Sequence, residues 1–145
     1  MKKPSSSYTV VALAAIVTFL AASPALPTEA SDAAYEKGAA LAADGKLDEA
    51  LAVFREAASR DPQNGSLAAA LAAIRDADEG RVSAEVVKRM FRAMQHANAG
   101  RWAEADADAD AAVGLAPDYV RAHSIKGRCY SCRAASTRRS RSSIG

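Results

Sequence analysis

A chain of 145 residues, 50% hydrophobic but only 6% aromatic, is long enough for one small domain whose apolar content is largely alanine. Alanine favours helices and gives thin cores, and the lack of any Val/Ile/Thr-rich alternation after the N-terminus excludes a sheet, so an all-α fold is expected. The formal charge of +2 conceals an imbalance: residues 31–119 hold 16 acids against 10 bases, whereas residues 120–145 hold seven bases and no acid. An acidic helical body with a basic tail is the pattern to explain.

Lys2 and Lys3 precede an apolar run from Tyr8 to Ala22, and Ser23-Pro24-Ala25 and Thr28-Glu29-Ala30 each end in a small residue suited to cleavage. A bilayer core needs about 20 apolar residues, and this run is shorter. Residues 1–30 therefore read as a secretory signal and short linker, with cleavage after Ala25 preferred to Ala30. The alternative is an uncleaved anchor. The expected location is exported, periplasmic or secreted, with membrane contact only through an uncleaved N-terminus.

From Ser31 to Asn64 the chain places small residues at Gly38, Ala50 and Ala57, larger apolar ones at Leu41, Leu47 and Phe54, and a stop at Pro62. Ser31 is a plausible N-cap. Gly45, within Asp44-Gly45-Lys46, sits where one helix would end and its antiparallel partner begin. The partner carries Asp48 and Glu49 in its first turn and Arg55 and Arg60 in its last, as the helix dipole favours.

In the insert 65–85, Leu67, Leu71 and Ile74 follow helical spacing and predict a further amphipathic helix, with Ser83 placed to cap the next. A shift of 55 residues then sets Ala99-Gly100-Arg101-Trp102 over Asp44-Gly45-Lys46-Leu47, Ala105 over Ala50, Ala112 over Ala57 and Pro117 over Pro62. A second copy thus occupies 86–119. This favours the insert as an extra helix between two regular pairs, over its pairing with 86–98. A partial third copy, 120–133, keeps Gly127 and Tyr130.

These residues resemble the tetratricopeptide repeat, a 34-residue helix-turn-helix with the signature W-x2-L-G-x2-Y, A-x3-F, P. Gly38, Ala50, Phe54 and Pro62 match it, Leu41 stands for the Tyr, and Ala34 and Lys37 replace the Trp and Leu. The second copy keeps Ala93, Gly100, Ala105, Ala112 and Pro117, with His96 and Ala109 at the aromatic places. The resemblance implies antiparallel helix pairs stacked as a short α-solenoid over 31–133, with the third repeat incomplete. Repeat packing would rest on Gly38, Leu41, Ala50, Phe54, Ala57, Pro62, Ala93, Trp102, Ala105, Pro117, Gly127 and Tyr130. It also implies a non-enzymatic scaffold for a peptide or protein segment. The first helix of each repeat would line the concave side, through Asp32, Tyr35 and Ala39, then Val87, Met90 and Met94, then Arg121 and Arg128. Tyr35 and Ala39 stand where some members clamp a C-terminal carboxylate with Lys and Asn, so that specialisation is not implied.

Val87, Met90, Phe91 and Met94 form the most hydrophobic stripe after the N-terminus, read first as inter-helix core and second as a groove for an apolar or amphipathic partner. Glu104, Asp106, Asp108 and Asp110 fail the EF-hand pattern and read as a solvated acidic face. Cys129-Tyr-Ser-Cys132 is a lone C-x-x-C with no preceding strand. The two are candidates for a disulfide, and a thiol-disulfide redox protein is the rival to the scaffold. No cofactor, metal or nucleic acid is expected, and homo-oligomers are compatible with the sequence. Residues 134–145, Arg- and Ser-rich, read as a disordered tail.

Overall fold

The computed structural model describes residues 29–142, so all but the last two residues of the 1–30 signal and linker lie outside the described residues, and Glu29 and Ala30 begin the first helix. Six α-helices succeed one another: α1 (Glu29–Ala43), α2 (Leu47–Arg60), α3 (Gly65–Asp78), α4 (Ala84–Asn98), α5 (Trp102–Leu115) and α6 (Val120–Ser142). Among the described residues there is no strand, and no helix is long and apolar enough to cross a membrane. The fold is an all-α stack of adjacent packed helices of the tetratricopeptide-like solenoid kind.

The internal repeat is visible in the backbone itself. Gly45 and Gly100 both take the left-handed conformation, at φ 83° and 72°. Behind them, Lys46 N–H bonds Leu41 O at 2.9 Å and Arg101 N–H bonds His96 O at 2.8 Å, so α1 and α4 end in the same Schellman turn. The C-caps also agree: Asp61 N–H bonds Ala57 O, and Ala116 N–H bonds Ala112 O. Each of these pairs is separated by the 55 residues of the sequence match. The glycine is required there because side chains with a Cβ disfavour that backbone.

Between the two pairs, α3 begins with Asn64 as its N-cap, whose side chain accepts from the N–H of Ser66 and Leu67 at 3.1 and 3.2 Å. Leu67 and Ile74 are fully buried and Leu71 partly so. This extra helix reverses the direction of the second pair relative to the first. Tyr35, early in α1, reaches Met94, late in α4, whereas Gly45 at the end of α1 lies beside Lys88, early in α4. Thus α1 and α4 run antiparallel.

The core is centred on Phe54, 0% exposed, whose ring packs on Gly38 and lies 5.8 Å from Tyr35 and 5.9 Å from Phe91, the latter stacked. Ala50 and Ala57 flank it, and Leu67, Ile74, Val86 and Val87 extend the same core. A smaller cluster of Ala93, Ala105, Ala109 and Cys129 joins α4, α5 and α6. Leu41, Leu47 and Trp102 are partly buried, and Pro62 and Pro117 exposed in the turns they end.

Three local expectations are corrected. Ser31 is not an N-cap, because α1 starts at Glu29 and Ser31 is buried in its first turn. Gly127 and Tyr130 do not pack within the repeat: both are exposed, because among the described residues no second helix folds back on that side of α6. Residues 134–142 are helical, not disordered. No Gly or Pro interrupts α6 after Gly127, and Ala and Arg favour helix, while the Ser131, Thr137 and Ser140 hydroxyls satisfy themselves on carbonyls of the preceding turn rather than competing for a cap.

The two equivalent glycines give an opposed pair of expectations. A Cβ on Gly127 meets nothing within 4 Å, so Gly127→Ala should raise stability by about 1 kcal/mol through helix propensity. A Cβ on Gly38 would lie 2.5 Å from the Phe54 ring, so Gly38→Ala should destabilise by about 1–3 kcal/mol despite the same propensity gain. Urea titration of both variants checks this. A gain at Gly38 would contradict the packing.

Candidate interaction cleft

A cleft of about 250 Å³ opens between four helices. Tyr35 of α1 and Met90, Phe91 and Met94 of α4 form its apolar floor and one side. Ala69, Ala70 and Ala73 of α3 form the facing wall, their small side chains leaving the opening. Arg121, Ile125 and Arg128 of α6 close the third side, the arginines seven residues apart and so on one face of the helix. A smaller recess of about 110 Å³ shares Tyr35, Met94 and Arg128 with the cleft and adds Cys132.

Of the eight residues assigned to the concave face, Tyr35, Met90, Met94, Arg121 and Arg128 meet here. The other three do not. Asp32 is exposed on α1 away from the cleft, whereas Ala39 and Val87 are buried, at 4% and 0% exposure. Val87 belongs to the core cluster around Phe54, so no partner reaches it without opening the bundle. Met90 is also nearly closed off at 4%, and Met94 is the more accessible of the two. The contribution of α3 is absent from the sequence reading, which lined the face with first helices only.

Tyr35 O–H contacts Met94 Sδ at 3.8 Å, a weak donor–sulfur contact that orients both side chains at the mouth. Burial pushes the Tyr35 hydroxyl above its ordinary value, against the lowering effect of the nearby Arg128 charge. Arg128 forms no ion pair among the described residues. It therefore presents an uncompensated positive charge beside an apolar surface.

The wall is held by a polar clamp that the sequence did not reveal. Asp76, at the end of α3 and 7% exposed, accepts from Tyr119 O–H at 2.7 Å, Arg121 Nε at 3.1 Å and Arg81 Nη1 at 2.9 Å. Burial acts to raise the Asp76 carboxyl, but the hydrogen bonds from Tyr119 and Arg121 and the two arginine charges outweigh it and hold the group below its ordinary range. The Tyr119 hydroxyl is pushed far up, first by burial and then by the carboxylate it serves. The clamp ties α3 to the start of α6 and so sets the width of the cleft.

The acids of α5 are not a single solvated face: Glu104 and Asp110 are exposed, but Asp108 is not. Asp108 is buried, with Arg89 at 2.8 Å, His96 at 3.3 Å and Arg92 at 3.4 Å, all from α4. Asp106 pairs with Arg133 and Asp110 with Lys126, both on α6. Lying between two basic neighbours, α5 turns Asp108 toward α4 and Asp106 and Asp110 toward α6. Only the register of those neighbours decides this, and that is invisible in α5 alone.

Neither cysteine is in a disulfide, and Cys129 is buried while Cys132 is exposed. Burial, then the Asp106 charge, push the Cys129 thiol up, the opposite of what an attacking thiolate needs. The pair lies in the interior of a helix, without the N-terminal dipole that activates redox cysteines.

With this geometry in place, residues 31–64, from α1 through the turn after α2, match the family model described as tetratricopeptide repeat. The chain carries a tetratricopeptide repeat. The match covers the stretch where Phe54 sits on Gly38. No curated protein and no solved structure matches the chain. A tetratricopeptide repeat implies a protein–protein interaction scaffold.

Proposed function

We propose that the chain is an exported interaction module whose cleft takes an apolar or amphipathic segment of a protein partner. The observation that carries this reading is the cleft, where Tyr35 and Met94, backed by the buried Met90, offer an adaptable apolar surface bordered by the arginines Arg121 and Arg128. Methionine suits such a surface because its unbranched side chain reshapes to fit different partners. Arg128 favours a segment with an acidic group beside its apolar residues. Export is supported by Lys2 and Lys3, the short apolar run and the small residues before Ser31.

Met94→Glu places a carboxylate in the partly exposed mouth and should abolish partner capture in a pull-down from envelope extract, with the helical circular dichroism unchanged. Met90→Glu, at a buried position, should instead melt the fold, since an unpaired carboxylate there has no water. Undiminished capture by folded Met94→Glu would remove the cleft as the site.

A further inference from the structure

Among the described residues, nothing covers the face of α6 that corresponds to the packed faces of α1 and α4. In repeat register Gly127 stands where Gly38 stands in α1 and Ala93 in α4. At Gly38 the face is covered by the Phe54 ring of α2, and at Ala93, 0% exposed, by Ala105 and Ala109 of α5. At Gly127 nothing lies within 4 Å of where a Cβ would be. The cause is in the sequence: Ala134 occupies the place of Gly45 and Gly100, two of the three glycines (with Gly80, after α3) whose positive φ turns the chain back. Alanine disfavours that conformation, so α6 runs straight on to Ser142.

The bare side is apolar at its centre and basic around it. Val120, Gly127 and Tyr130 recur at helical spacing opposite the packed Ala122, Ile125 and Cys129. All three exposed large apolar side chains among the described residues, Leu115, Val120 and Tyr130, lie at this end of the array. All seven bases of residues 120–145 are in α6, with no acid beside them. Lys126 and Arg133 already meet acids of α5. Arg138 and Arg141, further along the bare side, form no ion pair among the described residues.

Charge then selects the occupant. A second copy of α6 would set one all-basic helix against another, which like-charge repulsion opposes. An acidic helix is favoured, and the chain contains the precedent: α5 packs on α6 through Asp106 and Asp110. We propose that this face docks an acidic amphipathic helix of a protein partner, which seats a large apolar side chain over Gly127 as Phe54 sits over Gly38. The proposal is independent of the cleft on the other side of α6.

The probe is a labelled synthetic peptide of residues 101–116 carrying Ala109→Phe, which keeps the four acids of α5 and adds the aromatic. Titrated into the full chain by fluorescence anisotropy, it should bind saturably, and more weakly as salt is raised. Gly127→Leu, whose side chain meets open space and leaves the fold intact, should weaken binding about tenfold or more by filling the seat. Arg138→Glu with Arg141→Glu should weaken it at low salt and much less at high salt. Three results would overturn the proposal: equal affinity for a peptide with Asn and Gln in place of its acids, binding unchanged by Gly127→Leu, or no saturable binding. Sedimentation showing that the chain alone dimerises, and that Gly127→Leu breaks the dimer, would assign the face to a second copy and overturn it as well.

Discussion

Phe54→Ala is expected to remove about 3–5 kcal/mol of stability, the range for truncating a fully buried aromatic with little collapse of the site. The ring is 0% exposed and closes three contacts at once: the backbone of Gly38, the tilted ring of Tyr35 and the stacked ring of Phe91. Its neighbours Gly38, Ala50 and Ala57 are small and their helices are held apart by the ring itself, so they cannot fill the hole. Small domains have only about 5–15 kcal/mol in total, and this core is largely alanine, so the variant should be close to unfolding at 37 °C. Gly38→Ala and Phe54→Leu should couple. The smaller side chain makes room for the new Cβ, so the double variant should be less destabilised than the sum of the singles. Urea titration measures both effects, and a loss below about 1 kcal/mol for Phe54→Ala would contradict this packing.

Asp76→Asn is the second large effect, expected at about 1–3 kcal/mol near pH 7, because three donors lose the charge they serve. The value is kept at this level because Arg81 and Arg121 are 64% and 41% exposed and recover water when released. The pH dependence has a definite sign. The folded Asp76 carboxyl titrates below its unfolded value of about 3.9, so its stabilisation is fully present above about pH 5. It is lost as pH falls through the folded value. The wild type and Asp76→Asn should therefore differ most near neutrality and converge in strong acid, as followed by urea midpoints across pH. A difference that grows on acidification would show that Asp76 is not held as a carboxylate by the clamp.

Much of the fold was legible because it is decided locally. Gly45 and Gly100 announce their turns through backbone conformation, Pro62 and Pro117 bar continuation, and the 55-residue self-match carries the same hydrogen bonds in both copies. The helix of the insert could be read from Leu67, Leu71 and Ile74. What failed depended on which neighbour a face meets. Asp108 looks like its neighbours Asp106 and Asp110 in sequence, yet it is buried because α4 brings Arg89, Arg92 and His96 to it. Val87 and Met94 belong to one stripe, yet one faces Phe54's core and the other the cleft mouth. The alanines of α3 gave no sign of lining a site, since their contribution is the space they leave. The basic tail was read from composition as disordered, although Ala134 in the turn position already favours continuation of α6.

The cleft as the site of partner capture is tested most directly by site-specific photocrosslinking. A photoreactive side chain is placed at position 94, in the mouth, and separately at position 52, exposed on α2 and outside the cleft. Illumination of the protein in envelope extract should give discrete adducts from position 94 and none from position 52, and Arg128→Glu in the same chain should reduce the former. Equal adducts from both positions, or adducts from position 52 alone, would contradict the assignment.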